Sequence, residues 1–139
     1  MFNPEMTAAA INRMSERTLA ANLGIEFTEV GADFMRARMP VDSRTHQPYG
    51  LLHGGASIAL AETMGSVASN AMIDQSSLIA VGLDINGNHL RTVTEGYVFG
   101  TVRPIHIGRR THVWEIRIED AEGRLVNISR LTMMIIKRS

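Results

Sequence analysis

The chain of 139 residues contains no cysteine. It therefore has no disulfide framework, no thiolate metal site and no cysteine nucleophile. It also lacks a net charge, because 14 Lys and Arg residues balance 14 Asp and Glu residues. This balance argues against a broad nucleic-acid-binding surface or a polybasic membrane-binding surface. The five histidines show no close metal-ligand spacing, so we expect neither a metal nor another cofactor.

Signals for export and for membrane insertion are missing as well. The N-terminal stretch MFNPEMTAAAINRMSERT has no basic start followed by an apolar core, so a cytoplasmic location is the default expectation. The long apolar run at 54–73 carries Glu62 near its centre, and a central carboxylate is costly in lipid. We therefore expect no membrane span, and we interpret the run as a buried helix.

Length and patterning predict one domain over residues 1–139, with no repeat, low-complexity tract or linker. Residues 1–23 form a predicted N-terminal helical segment. Either Asn3 or Thr7 can cap it, and Gly24 ends it.

The rest of the chain alternates in a way that predicts one long helix among strands. Strands are predicted at 25–30 and 34–39, a helix at 54–73, and four more strands at 78–86, 95–104, 111–119 and 125–136. Short links between the last four strands predict antiparallel pairing. A helix that is apolar almost all round must be covered. The sequence therefore predicts an α+β fold in which a curved antiparallel sheet wraps around one long central helix.

Two of these strands carry clear apolar alternation. In the third predicted strand, Val81, Leu83 and Ile85 should share one face. In the fifth predicted strand the shared face contains four residues, His112, Trp114, Ile116 and Ile118.

The long helix carries its polar residues on one stripe. Glu62, Ser66 and then Ser69 or Asn70 recur at intervals of three or four residues. A solvated face usually contains Lys and Arg, whereas one carboxylate among small hydroxyls is typical of a pocket wall. The ordinary alternative is that Glu62 is an exposed surface residue or pairs with an arginine.

A His-Gly-Gly sequence, residues 53–55, precedes the helix. Its glycines allow a ligand to approach the backbone, and the free N–H groups of the first turn suit a developing oxyanion. Glycine-rich helix starts are also common without any catalytic role. Glu62 lies eight residues beyond Gly54, about 12 Å along the axis. One helix therefore cannot place both groups on one carbonyl, and a folded-back loop or a second subunit must contribute. We favour a dimer with a shared site.

Two basic stretches, NHLRT at 88–92 and HIGRRTH at 106–112, lie at or near predicted strand ends. Together they suit a phosphate-rich ligand. The alternative is two ordinary solvated turns.

These motifs resemble those of the hotdog-fold acyl-CoA thioesterases, in particular the branch that acts on 1,4-dihydroxy-2-naphthoyl-CoA or proofreads in the enterobactin pathway. The matching stretches are MPVDSRTHQPYGLLHGGASIALAETMGSVAS, VGLDINGNHLR and SRLTMMI, and the likeness covers nearly all of the chain from about Gly24. The resemblance implies the hotdog fold, a homodimer or a tetramer built as a dimer of dimers, and a site at the dimer interface.

The resemblance also implies roles for individual residues. Glu62 would be the nucleophile or general base, and Gly54 would supply the oxyanion N–H. Gln47 and His53 would orient or polarise the thioester, and Ser66 would help to place water or substrate. The substrate and CoA contacts would be Gly82, His89, Leu90, Arg91, Thr92, His106, Gly108, Arg109, Arg110 and Thr111.

The expected substrate is an aryl- or medium-chain acyl-CoA, and an acyl- or aryl-carrier protein stays open as a partner. Two other functions stay open. One is a hotdog dehydratase or hydratase that uses His53 with Glu62. The other is a non-catalytic module that binds acyl-CoA or a carrier protein.

Overall fold

A computed structural model describes all 139 residues, Met1–Ser139. The helices are α1 (Ala8–Met14), α2 (Leu19–Asn22) and α3 (Gly54–Asn70). The strands are β1 (Glu26–Val30), β2 (Met35–Pro40), β3 (Leu78–His89), β4 (Tyr97–Ile107), β5 (Thr111–Glu119) and β6 (Leu125–Lys137). The predicted order of elements is confirmed, with the short helix α2 added. None of the helices is both long enough and apolar enough to cross a membrane.

The structure decides between the two candidate caps at the N-terminus. The Thr7 side chain accepts a hydrogen bond from the Ala10 N–H at 3.1 Å, so α1 begins after Thr7. Asn3 instead accepts from the Glu5 N–H in a local turn. The cap is therefore a hydroxyl that satisfies one of the unpaired donors of the first helical turn.

All six strands form one antiparallel sheet in the order β1-β2-β4-β5-β6-β3. The short link between β3 and β4 does not join paired neighbours, so the prediction of antiparallel pairing is wrong for these two strands. Segment 90–96 instead carries the chain from the β3 edge to the middle of the sheet. It is held on the way by hydrogen bonds from Leu52 N–H to Val93 O and from Val41 N–H to Gly96 O, both at 2.8 Å.

The helix α3 packs in the concave side of this sheet and forms the core with it. Leu60, Met64 and Ala68 are fully buried on α3. The expected inner face of β5 is confirmed, since His112, Trp114, Ile116 and Ile118 are all buried. Each large apolar side chain of such a core contributes about 1.5–3 kcal/mol through burial.

The prediction for the face of β3 is wrong. Val81 and Leu83 are 37% and 57% exposed, whereas the neighbouring Ala80 is buried. An irregularity in pairing between Gly82 and Asp84 interrupts the alternation. Because β3 is the last strand of the sheet, it presents apolar side chains and an unpaired backbone edge to the outside.

Asn70 fixes the end of α3 against the start of β3. Its amide nitrogen donates to Ser66 O at 2.9 Å and to Ala80 O at 3.1 Å, and its amide oxygen accepts from Ala80 N–H at 3.0 Å. The helix therefore ends at Asn70 rather than at the expected Ile73. Asn70 continues the stripe of Glu62 and Ser66, whereas Ser69 is fully buried against Trp114.

Candidate active site

The start of α3 is a tight polar turn. His53 is the N-cap, and its Nδ1 accepts a hydrogen bond from the Gly55 N–H at 2.8 Å. The His53 N–H donates to Thr45 O at 2.7 Å, which ties the turn to the preceding loop. The Gly54 N–H donates to no group in the chain. The turn thus presents a free backbone donor at the positive end of a 17-residue helix.

A cavity of about 680 Å³ opens beside this turn. Its lining consists of Gln47, Leu51, Leu52, Gly54, Ser57, His89, Leu90, Arg91, Thr92 and Val126. The structure therefore brings together six residues singled out in the sequence: Gln47, Gly54, His89, Leu90, Arg91 and Thr92. Polar donors from the loop, the helix start and the end of β3 converge on one space.

Glu62 does not line this cavity. It lies two turns further along α3, about 12 Å from Gly54 along the axis. Its side chain is half-buried, and its carboxylate lies against Gly82 of β3. Glu62 takes part in none of the six ion pairs of the chain. The arginine-paired surface glutamate considered above is therefore absent, and the carboxylate is free for another partner.

The two basic stretches lie at opposite ends of the sheet. His89 pairs with Asn127, whereas the Arg110 carbonyl accepts from the N–H of Ile135, which pairs with Ala80. Ala80 and His89 are nine residues apart on the same strand, about 30 Å. One chain therefore cannot bring both basic stretches onto one small ligand.

The turn between β4 and β5 holds the second basic stretch. The Gly108 N–H donates to Thr111 O at 2.8 Å, and a side chain at position 108 would meet the imidazole of His106. Arg109 and Arg110 are both exposed at the tip. This hairpin therefore offers charge to a ligand that comes from outside the protomer.

His112 lies behind this hairpin in the core. Its Nδ1 is 3.0 Å from Ser69 Oγ, which also accepts the Trp114 Nε1–H at 2.6 Å. Burial, together with the nearby charge of His106, lowers the pKa of His112 below its usual range. His112 is therefore held neutral, as part of a buried polar contact between α3 and β5.

Sequence reasoning missed Ser57, Asn127 and Ser129. Ser57 lines the cavity, and Asn127 and Ser129 are buried on β6 beside His89. The signal for the last two was present, because Asn and Ser occupy alternate positions of a strand whose same face is otherwise apolar. No group of three His, Asp or Glu side chains is arranged to hold a metal ion.

Comparison with known proteins agrees with this architecture. Residues 49–127, more than half of the chain, match the thioesterase superfamily. The proofreading thioesterase EntH of Klebsiella pneumoniae is 48% identical over 132 residues, which are 95% of this chain and 96% of that protein. The 1,4-dihydroxy-2-naphthoyl-CoA hydrolase of Escherichia coli is 48% identical over 136 residues, 98% of this chain and 99% of that protein.

A solved structure shows the same fold. The crystal structure of a Pseudomonas aeruginosa thioesterase, determined as a Gln-to-Ala variant, superposes with a TM-score of 0.96 at 43% identity and covers 99% of each chain. The curved antiparallel sheet around one long helix is thus the hotdog fold of thioesterases. The chain belongs to the thioesterase superfamily and is a thioester hydrolase.

Proposed function

We propose that the protein hydrolyses an aryl- or medium-chain acyl-CoA to the free acid and CoA, at a site shared between two protomers. Glu62 acts as nucleophile or general base, and the Gly54 N–H binds the developing oxyanion. One observation supports the shared site: Glu62 lies against Gly82 in the first half of β3, whereas the Gly54 cavity lies at the far end of the same strand, beside His89.

The exposed edge of β3 supports such pairing. Two copies of an antiparallel strand joined about a two-fold axis place the start of one strand beside the end of the other. The Glu62 and Gly82 pair of one protomer then approaches the partner's Gly54 and the partner's His89. Val81 and Leu83 would be covered by the same contact, which removes the apolar edge from solvent. Both a dimer and a dimer of dimers contain this interface.

The same pairing assembles the basic groups. Arg91 and His89 lie at one end of β3, and Arg109 and Arg110 lie nearest the other end. Across a two-fold axis the two sets face each other. Guanidinium groups bind phosphates with directed, charge-assisted hydrogen bonds. We therefore assign the nucleotide end of CoA to these arginines, and we leave a carrier protein as an alternative bearer of the thioester.

The chemistry suits a carboxylate without a metal. Glu62 attacks the thioester carbonyl carbon, or removes a proton from the water that attacks it, while the carbonyl oxygen gains charge at the Gly54 N–H. The C–S bond then breaks and the electron pair leaves on sulfur as the CoA thiolate. A thiolate is stable enough near neutral pH that little general-acid assistance is needed. Water completes the acid, directly or by hydrolysing an acyl-Glu62 anhydride. Gln47 and His53 orient the thioester, and Ser66 orients the water.

The proposed preference for aryl substrates is inferred from a relative and from the lining of the cavity. One relative is named for hydrolysis of a naphthoyl-CoA, and the cavity at Gly54 combines apolar Leu51, Leu52 and Val126 with polar groups. Release of free thiol from benzoyl-, 4-hydroxybenzoyl-, phenylacetyl-, hexanoyl- and palmitoyl-CoA tests the proposal. We expect turnover of the aryl and hexanoyl thioesters and little turnover of palmitoyl-CoA.

Two further assays, run beside the panel, separate the alternatives. A dehydratase or hydratase would add water to crotonyl-CoA without release of thiol. A binding module would be stabilised against heat by acyl-CoA and would release no thiol. Either of these results, with no thiol from the whole panel, would contradict the proposed function.

A further inference from the structure

A buried polar pair on β6 lies directly behind His89. The β3–β6 pairing sets His89 opposite Asn127 and Gly87 opposite Ser129. Asn127 is 0% exposed and Ser129 is 2% exposed, although both are polar. Buried polar side chains are costly unless they are hydrogen-bonded, so the partners of these two residues define what the pair does.

The hydrogen bonds run in one direction, from the core to the cavity. The Ser129 hydroxyl donates to Asn127 Oδ1 at 2.6 Å. This contact turns the amide nitrogen of Asn127 towards His89, where Nδ2 lies 3.1 Å from Nδ1. An amide nitrogen can only donate, so Nδ1 of His89 must accept. The neutral imidazole then carries its hydrogen on Nε2.

Two glycines make room for this arrangement. A Cβ built on Gly54 would lie 2.8 Å from His89 Nε2, too close for a real side chain. A side chain at Gly87 would meet Ser129 Oγ and the Asn127 amide. The imidazole edge therefore rests against the start of α3, beside the unpaired Gly54 N–H and inside the same cavity.

We propose that Asn127 and Ser129 are positioning residues that hold His89 as the tautomer with its hydrogen on Nε2, so that this N–H and the Gly54 N–H form adjacent donors for one substrate oxygen. The role in turnover rests on the proposed function, whereas the tautomer does not. The opposite tautomer would present a lone pair to the oxygen and repel it. The hydrogen bonds from Ser129 to Asn127 and from Asn127 to His89 fix the direction of the Nε2–H donor before substrate binds.

The test compares Asn127→Asp with Asn22→Asp. Both variants replace one asparagine with aspartate, but Asn22 is exposed on α2, outside the β3 edge and the cavity. Nitrogen-15 NMR of the histidine side chains reports the tautomer in the folded enzyme. We expect Nε2–H in the wild type and in Asn22→Asp. In Asn127→Asp the carboxylate can only accept, from Nδ1–H, so the tautomer reverses.

The value of kcat/KM should fall where the tautomer of His89 changes. We expect kcat/KM for the best acyl-CoA of the panel to fall about tenfold in Asn127→Asp, the equivalent of one hydrogen bond, and to change little in Asn22→Asp. A wild-type enzyme with hydrogen on Nδ1 would overturn the proposal. So would an Asn127→Asp enzyme whose His89 keeps the wild-type signature.

Ser129→Ala provides a second route if Asn127→Asp does not fold. It removes only the donor that orients the amide, so both tautomers of His89 should be populated. A single Nε2–H signature in Ser129→Ala would show that Ser129 does not set the tautomer of His89 and would overturn the proposal. Because the NMR signature needs no turnover, an enzyme inactive on all acyl-CoA substrates would contradict the proposed function alone.

Discussion

The Glu62 carboxylate lies against the backbone of Gly82, in the space that a side chain at this position of β3 would fill. A side chain here would displace the carboxylate and would not strain the backbone, since the φ of Gly82 is not positive. The proposed catalytic carboxylate is thus positioned by the absence of a side chain on the edge strand.

Replacing Gly82 with alanine should displace this carboxylate. We expect Gly82→Ala to lower kcat about 10²-fold, the scale associated with small misplacement of a catalytic group. A double-mutant cycle with Glu62→Ala checks the cause. In a chain that already carries Glu62→Ala, adding Gly82→Ala should not lower kcat further. Fully additive losses would show that Gly82 acts independently of Glu62.

Mixed oligomers test whether the site is shared. Glu62→Ala and His53→Ala should each be inactive alone. If each site takes Glu62 from one protomer and the helix start from its partner, a heterodimer of the two variants contains one intact site. Random mixing after reversible dissociation should then restore about a quarter of the wild-type sites. No recovery, with exchange of subunits confirmed by mass spectrometry, would place the whole site within one chain.

The arginines at the two ends of β3 should affect binding more than turnover. We expect Arg91→Ala and Arg109→Ala each to raise KM for acyl-CoA about tenfold, as for loss of a charge-assisted hydrogen bond, with kcat nearly unchanged. Arg36→Ala is the control, because Arg36 pairs with Glu29 on the distant β1–β2 edge. With an acyl-pantetheine substrate, which lacks the nucleotide, both effects should disappear. Equal KM values for Arg91→Ala and wild type would remove Arg91 from CoA binding.

Buried His112 should make stability depend on pH. Its folded pKa is lowered below 6.5, so between the two values the unfolded chain binds a proton that the native chain does not. The stabilising effect is complete above pH 6.5 and is lost as the pH falls towards the folded pKa. We expect the free energy of unfolding in urea to decrease between pH 7 and 5.

The comparison for this prediction is His112→Asn, which should show a shallower decrease over the same range. Asp42 does not interfere, because hydrogen bonds from Arg44 lower its pKa to about 2, so its effect on stability falls below the ordinary pKa of 3.8. An identical pH dependence in His112→Asn and wild type would contradict the assignment.

Much of the fold was predictable because the local residue patterns agree with the helices and strands that they form. The alternation of Trp114, Ile116 and Ile118 gave the correct face of β5, and the apolar run after Gly54 gave the central helix. The face of β3 was not predictable. Its apolar Val81 and Leu83 are exposed because the strand ends the sheet, and strand order depends on contacts distant in sequence.

The proposed site was likewise predictable only in part. Local spacing was enough to propose Gly54 and Glu62, and to conclude that one helix cannot place both on one carbonyl. The alternation of β6 marks Asn127 and Ser129 as polar residues on an apolar face, but their role was not predictable, because it depends on the strand paired with β6. The separation of Arg91 from Arg109 likewise follows only from the position of β3 in the sheet.

Glu62 is proposed to perform the chemistry of thioester hydrolysis. The most direct measurement is kcat for free-thiol release by Glu62→Gln, beside Glu16→Gln as the matched change at an exposed site. The amide keeps the size of the side chain but can neither attack nor accept a proton. We predict a loss in kcat of about 10²- to 10⁴-fold for Glu62→Gln, typical of removing a general base, and wild-type turnover for Glu16→Gln. Full turnover by folded Glu62→Gln would contradict the account.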